Sequence, residues 1–169
     1  TKLPEFTLDK DCQKKLTDAI ECWPHGVIAW SEEMEDLVET STNLASAKFS
    51  DNNTIVIVTT QRSSIESAKR ETAANVVNCL LKGNAEIKHS DGYPGWKPDM
   101  TSEILGITRN SYKNLFGKEP SIRAIHAGLE CGILGTNYPD MEMVSFGPNI
   151  RGAHSPDEKV QISSVQKYW

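Results

Sequence analysis

Three short segments hold the residue types that could do chemistry. The first is Gly147-Pro148-Asn149-Ile150-Arg151-Gly152-Ala153-His154-Ser155-Pro156-Asp157-Glu158. A histidine in a Gly- and Pro-rich loop directly behind a strand can project its imidazole into a cleft. Neutral imidazole is the commonest zinc ligand among side chains, and Asp157 or Glu158 could steady it as an outer carboxylate. The same spacing suits an exposed loop histidine followed by a helix-capping aspartate, and on spacing alone that is the commoner finding. The second segment is His126-Ala127-Gly128-Leu129-Glu130-Cys131-Gly132. In a helix His126 and Glu130, four apart, would share a face as zinc-binding pairs do. The small residues Gly128, Cys131 and Gly132 favour a loop in which backbone approaches a ligand closely, or simply a strand end turning through glycines. The third is Gln61-Arg62-Ser63-Ser64, between a β-forming run and a helix start. Helix N-termini attract anions and an arginine adds a two-pronged donor for a carboxylate, although a lone surface arginine is the commoner finding. His25 and His89 have no partner at a recognisable spacing.

The elements that must position these residues can be read from periodicity. Leu8, Cys12, Leu16 and Ile20 recur every four residues and predict a first helix of about 14 residues, broken at Pro24-His25-Gly26. Residues 38–48 and 54–60 are rich in Thr and Val, and the turn-forming Ser50-Asp51-Asn52-Asn53 between them predicts an antiparallel hairpin. Ser63-Ser64-Ile65-Glu66 has the form of a capping box. Behind it Ile65, Ala68, Thr72, Val76, Cys79 and Leu80 mark one face of a helix that Gly83 ends. A strand over 85–89 would complete most of a ferredoxin-like unit lacking its opening strand. The Pro- and Gly-rich stretch 90–101 reads as a boundary. A helix over 102–116, strands over 121–126 and 143–146, and a tail that begins like a helix at Ser163-Ser164 follow.

Composition narrows the function classes. The chain has 169 residues, 38% hydrophobic and 24% charged, within the range of ordinary globular domains. A net charge of -5 argues against nucleic acid as a partner, since phosphate binding needs clustered Lys and Arg. No apolar run approaches the roughly 20 residues that cross a bilayer. The start Thr1-Lys2-Leu3-Pro4 does not read as a signal peptide and is expected to be an internal start. Cys12, Cys22, Cys79 and Cys131 form no C-x-x-C pair, which opposes a zinc ribbon. Disulfides are not expected in a chain long enough to build a core without them, and Cys79 is expected to pack as a small apolar residue. A reducing, cytoplasmic protein is the resulting expectation.

Taken in order, five runs resemble one family: V-E-T-S-x-N-L at 38–44, R-S-S-I-x-S at 62–67, G-Y-P-G-W-x-P-D at 92–99, H-A-G-L-E-C-G at 126–132 and G-P-x-I-x-G-x-H-S-P-D-E at 147–158. They are similar to aminoacyl-histidine dipeptidases, carnosinase-like exopeptidases with two zinc ions. The resemblance runs from about Pro24 to Trp169. It implies an α+β chain: residues 1–95 as part of a ferredoxin-like lid domain, residues 96–169 as the C-terminal α/β portion of a zinc-exopeptidase catalytic domain. It implies that His154 is a zinc ligand, that Arg62 reaches the substrate's C-terminal carboxylate, and that Gly128 lies against the substrate. Glu130 has a family match without an assigned role.

The departure from the family is large. Its H-x-D motif, bridging aspartate and general-base glutamate have no counterpart here, and Glu32-Glu33 reads as an exposed helix start. The expectation is therefore a C-terminal fragment of a dipeptidase cleaving dipeptides with C-terminal His, inactive alone and without tight zinc binding. A missing N-terminal catalytic half and a second copy of the chain are its expected partners. The alternative is a non-catalytic, lid-like interaction or dimerisation module. An upstream reading frame carrying H-x-D would separate the two.

Overall fold

The computed structural model describes residues 7–50, 53–126 and 130–169. The chain divides into two compact units, one of residues 1–100 with 121–139, the other of 101–120 with 140–169.

The first unit begins with α1 (Lys10–Cys22), started by Asp9, whose carboxylate accepts from the N–H groups of Asp11 and Cys12 at 3.0 and 2.9 Å. Three antiparallel strands follow, β1 (Gly26–Trp30), β2 (Val38–Phe49) and β3 (Ile55–Ser63), in sheet order β1-β2-β3. The expected hairpin is therefore present, with Phe49 opposite Ile55. The expected third strand is corrected: residues 85–89 form no strand, and the sheet is completed instead by β1, immediately before the hairpin. Val27-Ile28-Ala29-Trp30 is short but apolar and β-favouring, and β2 is long enough to pair with a strand on each side.

Helix α2 (Glu66–Lys82) packs on β2 and β3, and α1 packs on α2. Thr72, Val76 and Cys79 are its buried residues and Ile65 is half-buried, so the predicted stripe faces the sheet. Val76 and Cys79 meet Trp23, with Leu44, Ile57 and Leu80 around them. The capping box does not form. The hydroxyl of Ser63 accepts from the N–H of Ile65 at 3.0 Å and shares a hydrogen bond with Thr40 at 2.8 Å, while Glu66 pairs with Lys69 and Arg70. Ser63 is still the last residue of β3, which leaves Ile65 as the uncapped first flank of the helix.

A disulfide joins Cys22, at the end of α1, to Cys79 on α2, which corrects the expectation of free thiols; Cys12 and Cys131 are free. The two Cα atoms stand 5.5 Å apart, within disulfide reach, because both helices bring the same end over Trp23. Residues 57 apart in sequence give no spacing signal of that meeting.

The stretch 92–98, read as a boundary, lies against the sheet. A Cβ on Gly95 would come 2.6 Å from the carbonyl oxygen of Ser63, and the Tyr93 carbonyl accepts from Lys69 at 2.9 Å. Residues 121–126 form no strand, and α4 (Glu130–Asn137) follows.

In the second unit α3 (Glu103–Phe116) runs from Ser102 to Gly117, whose φ of 68° gives the left-handed stop read from the sequence. The Glu142 carboxylate accepts from the N–H groups of Glu103 and Ile104 at 3.1 and 3.0 Å, where the helix dipole favours negative charge. Residues 143–146 form no strand; the only pairing here among described residues is β4 (Ile150–Arg151) with β5 (Lys159–Val160). The tail forms α5 (Ile162–Tyr168). Its buried Ser164 accepts from the N–H of Asn149 at 2.9 Å and donates to the carbonyl of Gln161 at 2.6 Å. Tyr168 meets Phe146 edge-on, ring centres 5.8 Å apart.

Candidate functional site

Antiparallel register decides which side chains share a face. In the β2–β3 pair Ser41 lies opposite Arg62 and Asn43 opposite Thr60. Alternation turns their neighbours Thr40, Thr42 and Ser63 inward, where all three are buried. Ser41, Asn43, Thr60 and Arg62 therefore stand together on the sheet face away from α2. The segment leading to α4 brings His126 over this face. The five residues line an open pocket of about 300 Å³.

Hydrogen bonds fix the wall on one side. The His126 ring nitrogen Nε2 lies 2.7 Å from the Ser41 hydroxyl, and the main-chain carbonyl of His126 accepts from Arg62 Nη1 at 3.4 Å. Burial holds the imidazole pKa below its usual value, and the Arg62 charge pushes it down further; a hydrogen bond to the Val38 carbonyl opposes both. No carboxylate stands within ion-pair distance of Arg62 among the described residues. The pocket thus has one cation, a neutral imidazole, two hydroxyls and an amide, and no anion. Such a lining can accept a small anion, with a guanidinium as the charged donor.

His154 sits in the second unit, on the loop between β4 and β5, with an exposed side chain. Its φ of 63° is a left-handed conformation that non-glycine residues seldom adopt. The loop is closed by its own bonds: Ser155 Oγ donates to the Gly152 carbonyl at 2.7 Å, and the N–H of His154 donates to Glu158 Oε2 at 2.8 Å. Glu158 therefore holds the backbone of His154 rather than its ring. No group of three His, Cys, Asp or Glu that could hold a metal exists among the described residues. One imidazole does not make a zinc site, so these residues alone do not fit the metal pair that the resemblance implies.

Gly128 lies outside the described residues. His126 and Glu130 share no helix, since α4 begins at Glu130, which is exposed. The close approach inferred from the glycines does occur at Gly132, but against protein: a Cβ there would come 2.6 Å from the Pro94 carbonyl oxygen. His25 and His89 have no part in either region. Sequence reasoning missed Ser41, Asn43 and Thr60 as wall residues. Their signal was alternation along a hairpin, which puts every second residue of V-E-T-S-T-N-L on the Arg62 face.

Comparison with known proteins places the chain in a family. The model for peptidase family M20/M25/M40 matches residues 12–168. The chain belongs to that family. It is 43% identical over 146 residues to the cytosol non-specific dipeptidase of Escherichia coli (strain K12), a match covering 86% of this chain and 30% of that protein. It is 39% identical to the aminoacylhistidine dipeptidase of Vibrio alginolyticus, whose crystal structure matches 100% of this chain with 34% of its own and a TM-score of 0.83. The chain spans about a third of the length of these relatives. The resemblance to aminoacyl-histidine dipeptidases and the α+β class are both borne out.

Proposed function

We propose that this chain is the C-terminal portion of a zinc-dependent dipeptidase that hydrolyses dipeptides with a C-terminal histidine. The relatives are dipeptidases, and one is an aminoacylhistidine dipeptidase by name. The observation that carries the reading is Arg62, a cation without a carboxylate partner among the described residues, in a pocket of hydroxyls and amide. Arg62 takes the substrate's C-terminal carboxylate, and Gly128 lies against the substrate. Residues 1–95 belong to the lid and 96–169 to the catalytic domain. His154 supplies one ligand of a two-zinc centre whose other ligands and general base lie outside this chain. A zinc pair held in part by His154 would supply Lewis-acid chemistry; this chain contributes carboxylate anchoring and one imidazole. The whole protein works in the cytoplasm as a homo-oligomer.

The test is complementation. The chain is combined with the portion of the Escherichia coli dipeptidase that the match leaves uncovered, and hydrolysis of Gly-His is assayed. Hydrolysis that needs both parts and zinc, and that drops with Arg62→Ala, is expected. A folded complex without hydrolysis would favour a non-catalytic interaction module.

A further inference from the structure

Arg62 alone does not explain why its guanidinium faces the pocket. A long, exposed side chain at the end of a strand has many rotamers, and ordering it costs entropy that weakens any ligand it binds. The structure supplies an orienting partner. His126 touches Arg62 through its backbone and Ser41 through its ring, so one residue ties both strands of the pocket together.

We propose that His126 is the positioning residue of the Arg62 carboxylate site: Ser41 holds its ring, and its main-chain carbonyl turns the guanidinium toward the pocket. The proposal rests on the reading of Arg62 as carboxylate anchor. Residues 121–125 have no strand or helix pairing of their own, so the contacts of the His126 ring with Ser41 and with the Val38 carbonyl hold this point of the segment on the sheet. With the ring seated, the His126 carbonyl takes one guanidinium N–H and leaves the remaining donors of the fork for a ligand. The carbonyl carries only a partial charge, so it orients Arg62 without neutralising it, as an aspartate would. The ring must stay neutral for this arrangement, since a second cation beside Arg62 would push the segment away. The groups facing the ring are Ser41 and the Val38 carbonyl on β2 and Arg62 on β3, and burial together with the Arg62 charge keeps it neutral.

The experiment uses the 169-residue chain and nuclear magnetic resonance of the Arg62 Nε–H group. In the unaltered chain this group is expected to be ordered, with an order parameter of about 0.8, falling below about 0.6 in Ser41→Ala and in His126→Ala. Ser41→Thr keeps the hydroxyl on a β-favouring residue and is expected to restore the order. Unchanged Arg62 order in both alanine variants overturns the proposal, as does failure of Ser41→Thr to restore it in a chain whose other signals are unmoved. A second arm tests the underlying reading with Gly-His and its C-terminal amide as probes. Gly-His alone is expected to shift the Arg62 signal, with affinity several-fold weaker in Ser41→Ala. If the amide shifts it equally, the carboxylate reading fails whatever the first arm gives.

Discussion

A guanidinium and an imidazole share one wall of the pocket, and burial beside the guanidinium disfavours a charge on the imidazole. His126 has its pKa depressed by burial first and by Arg62 second. The unfolded chain therefore takes up a proton more readily than the folded one. The stability contributed by the neutral ring is present above the unfolded pKa, near 6.5, and is lost as pH falls through the lower folded value. Replacing His126 with Gln should flatten the fall of the urea midpoint between about pH 7 and pH 5; an identical pH profile would show that the ring titrates as it does in water. Arg62→Lys tests the partner. A lysine keeps the charge but loses the planar fork, and kcat/KM for Gly-His in the complemented enzyme should fall roughly tenfold, about 1.4 kcal/mol. Unchanged kinetics would remove Arg62 from the site. Arg62 and His154 were visible in the sequence because a guanidinium and an imidazole carry their chemistry in the side chain itself. Ser41, Asn43 and Thr60 were not, because polar residues on a strand look like any solvated face until the partner strand fixes their side.

Among the elements, those with strong local signals were legible and those that depend on partners were not. Helix α2 follows its apolar spacing and α3 ends at its glycine, since a helix makes its bonds within itself. Strand β1 was missed because its five residues gain their bonds from β2 in an irregular register rather than within themselves. Residues 85–89 have strand-like composition but pair with neither edge strand, β1 or β3. The core under α2 is small, and Val76 is 2% exposed at its centre. Val76→Ala should cost roughly 2–4 kcal/mol, read as a lowered urea midpoint with unchanged slope, while the half-buried Leu80→Ala should cost less. The Cys22–Cys79 bond closes a loop across the first unit, and reducing it should cost up to about 4 kcal/mol on the loop-entropy account. Denaturation with and without reductant checks this, and Cys22→Ser should be as stable as the reduced chain and indifferent to reductant. If the pair is already dithiol when the chain is purified under air, the link is not part of its stable fold.

The whole molecule spans about a third of the length of its relatives. Ile125 and Tyr138 in the first unit, and Met141 and Phe146 in the second, are each more than two-fifths exposed. If these groups meet the remaining catalytic half in the complete enzyme, the isolated chain should cover them by self-association, visible as a concentration-dependent sedimentation coefficient. The proposed division of the site also governs metal binding. A catalytic zinc usually takes three protein ligands and water, and a two-metal site needs a bridging group as well. His154 is exposed, Glu158 is engaged with its backbone, and no cluster of three metal-binding side chains occurs among the described residues. A single imidazole replaces one water of hydrated zinc and little else. Calorimetric titration of the purified chain with zinc should therefore show no stoichiometric binding tighter than roughly 10 µM. Addition of the complementary half should create tight sites, and His154→Ala should weaken them. Submicromolar binding by the chain alone, abolished in His154→Ala, would show that its own side chains converge on His154 in solution and that the chain carries a metal centre by itself.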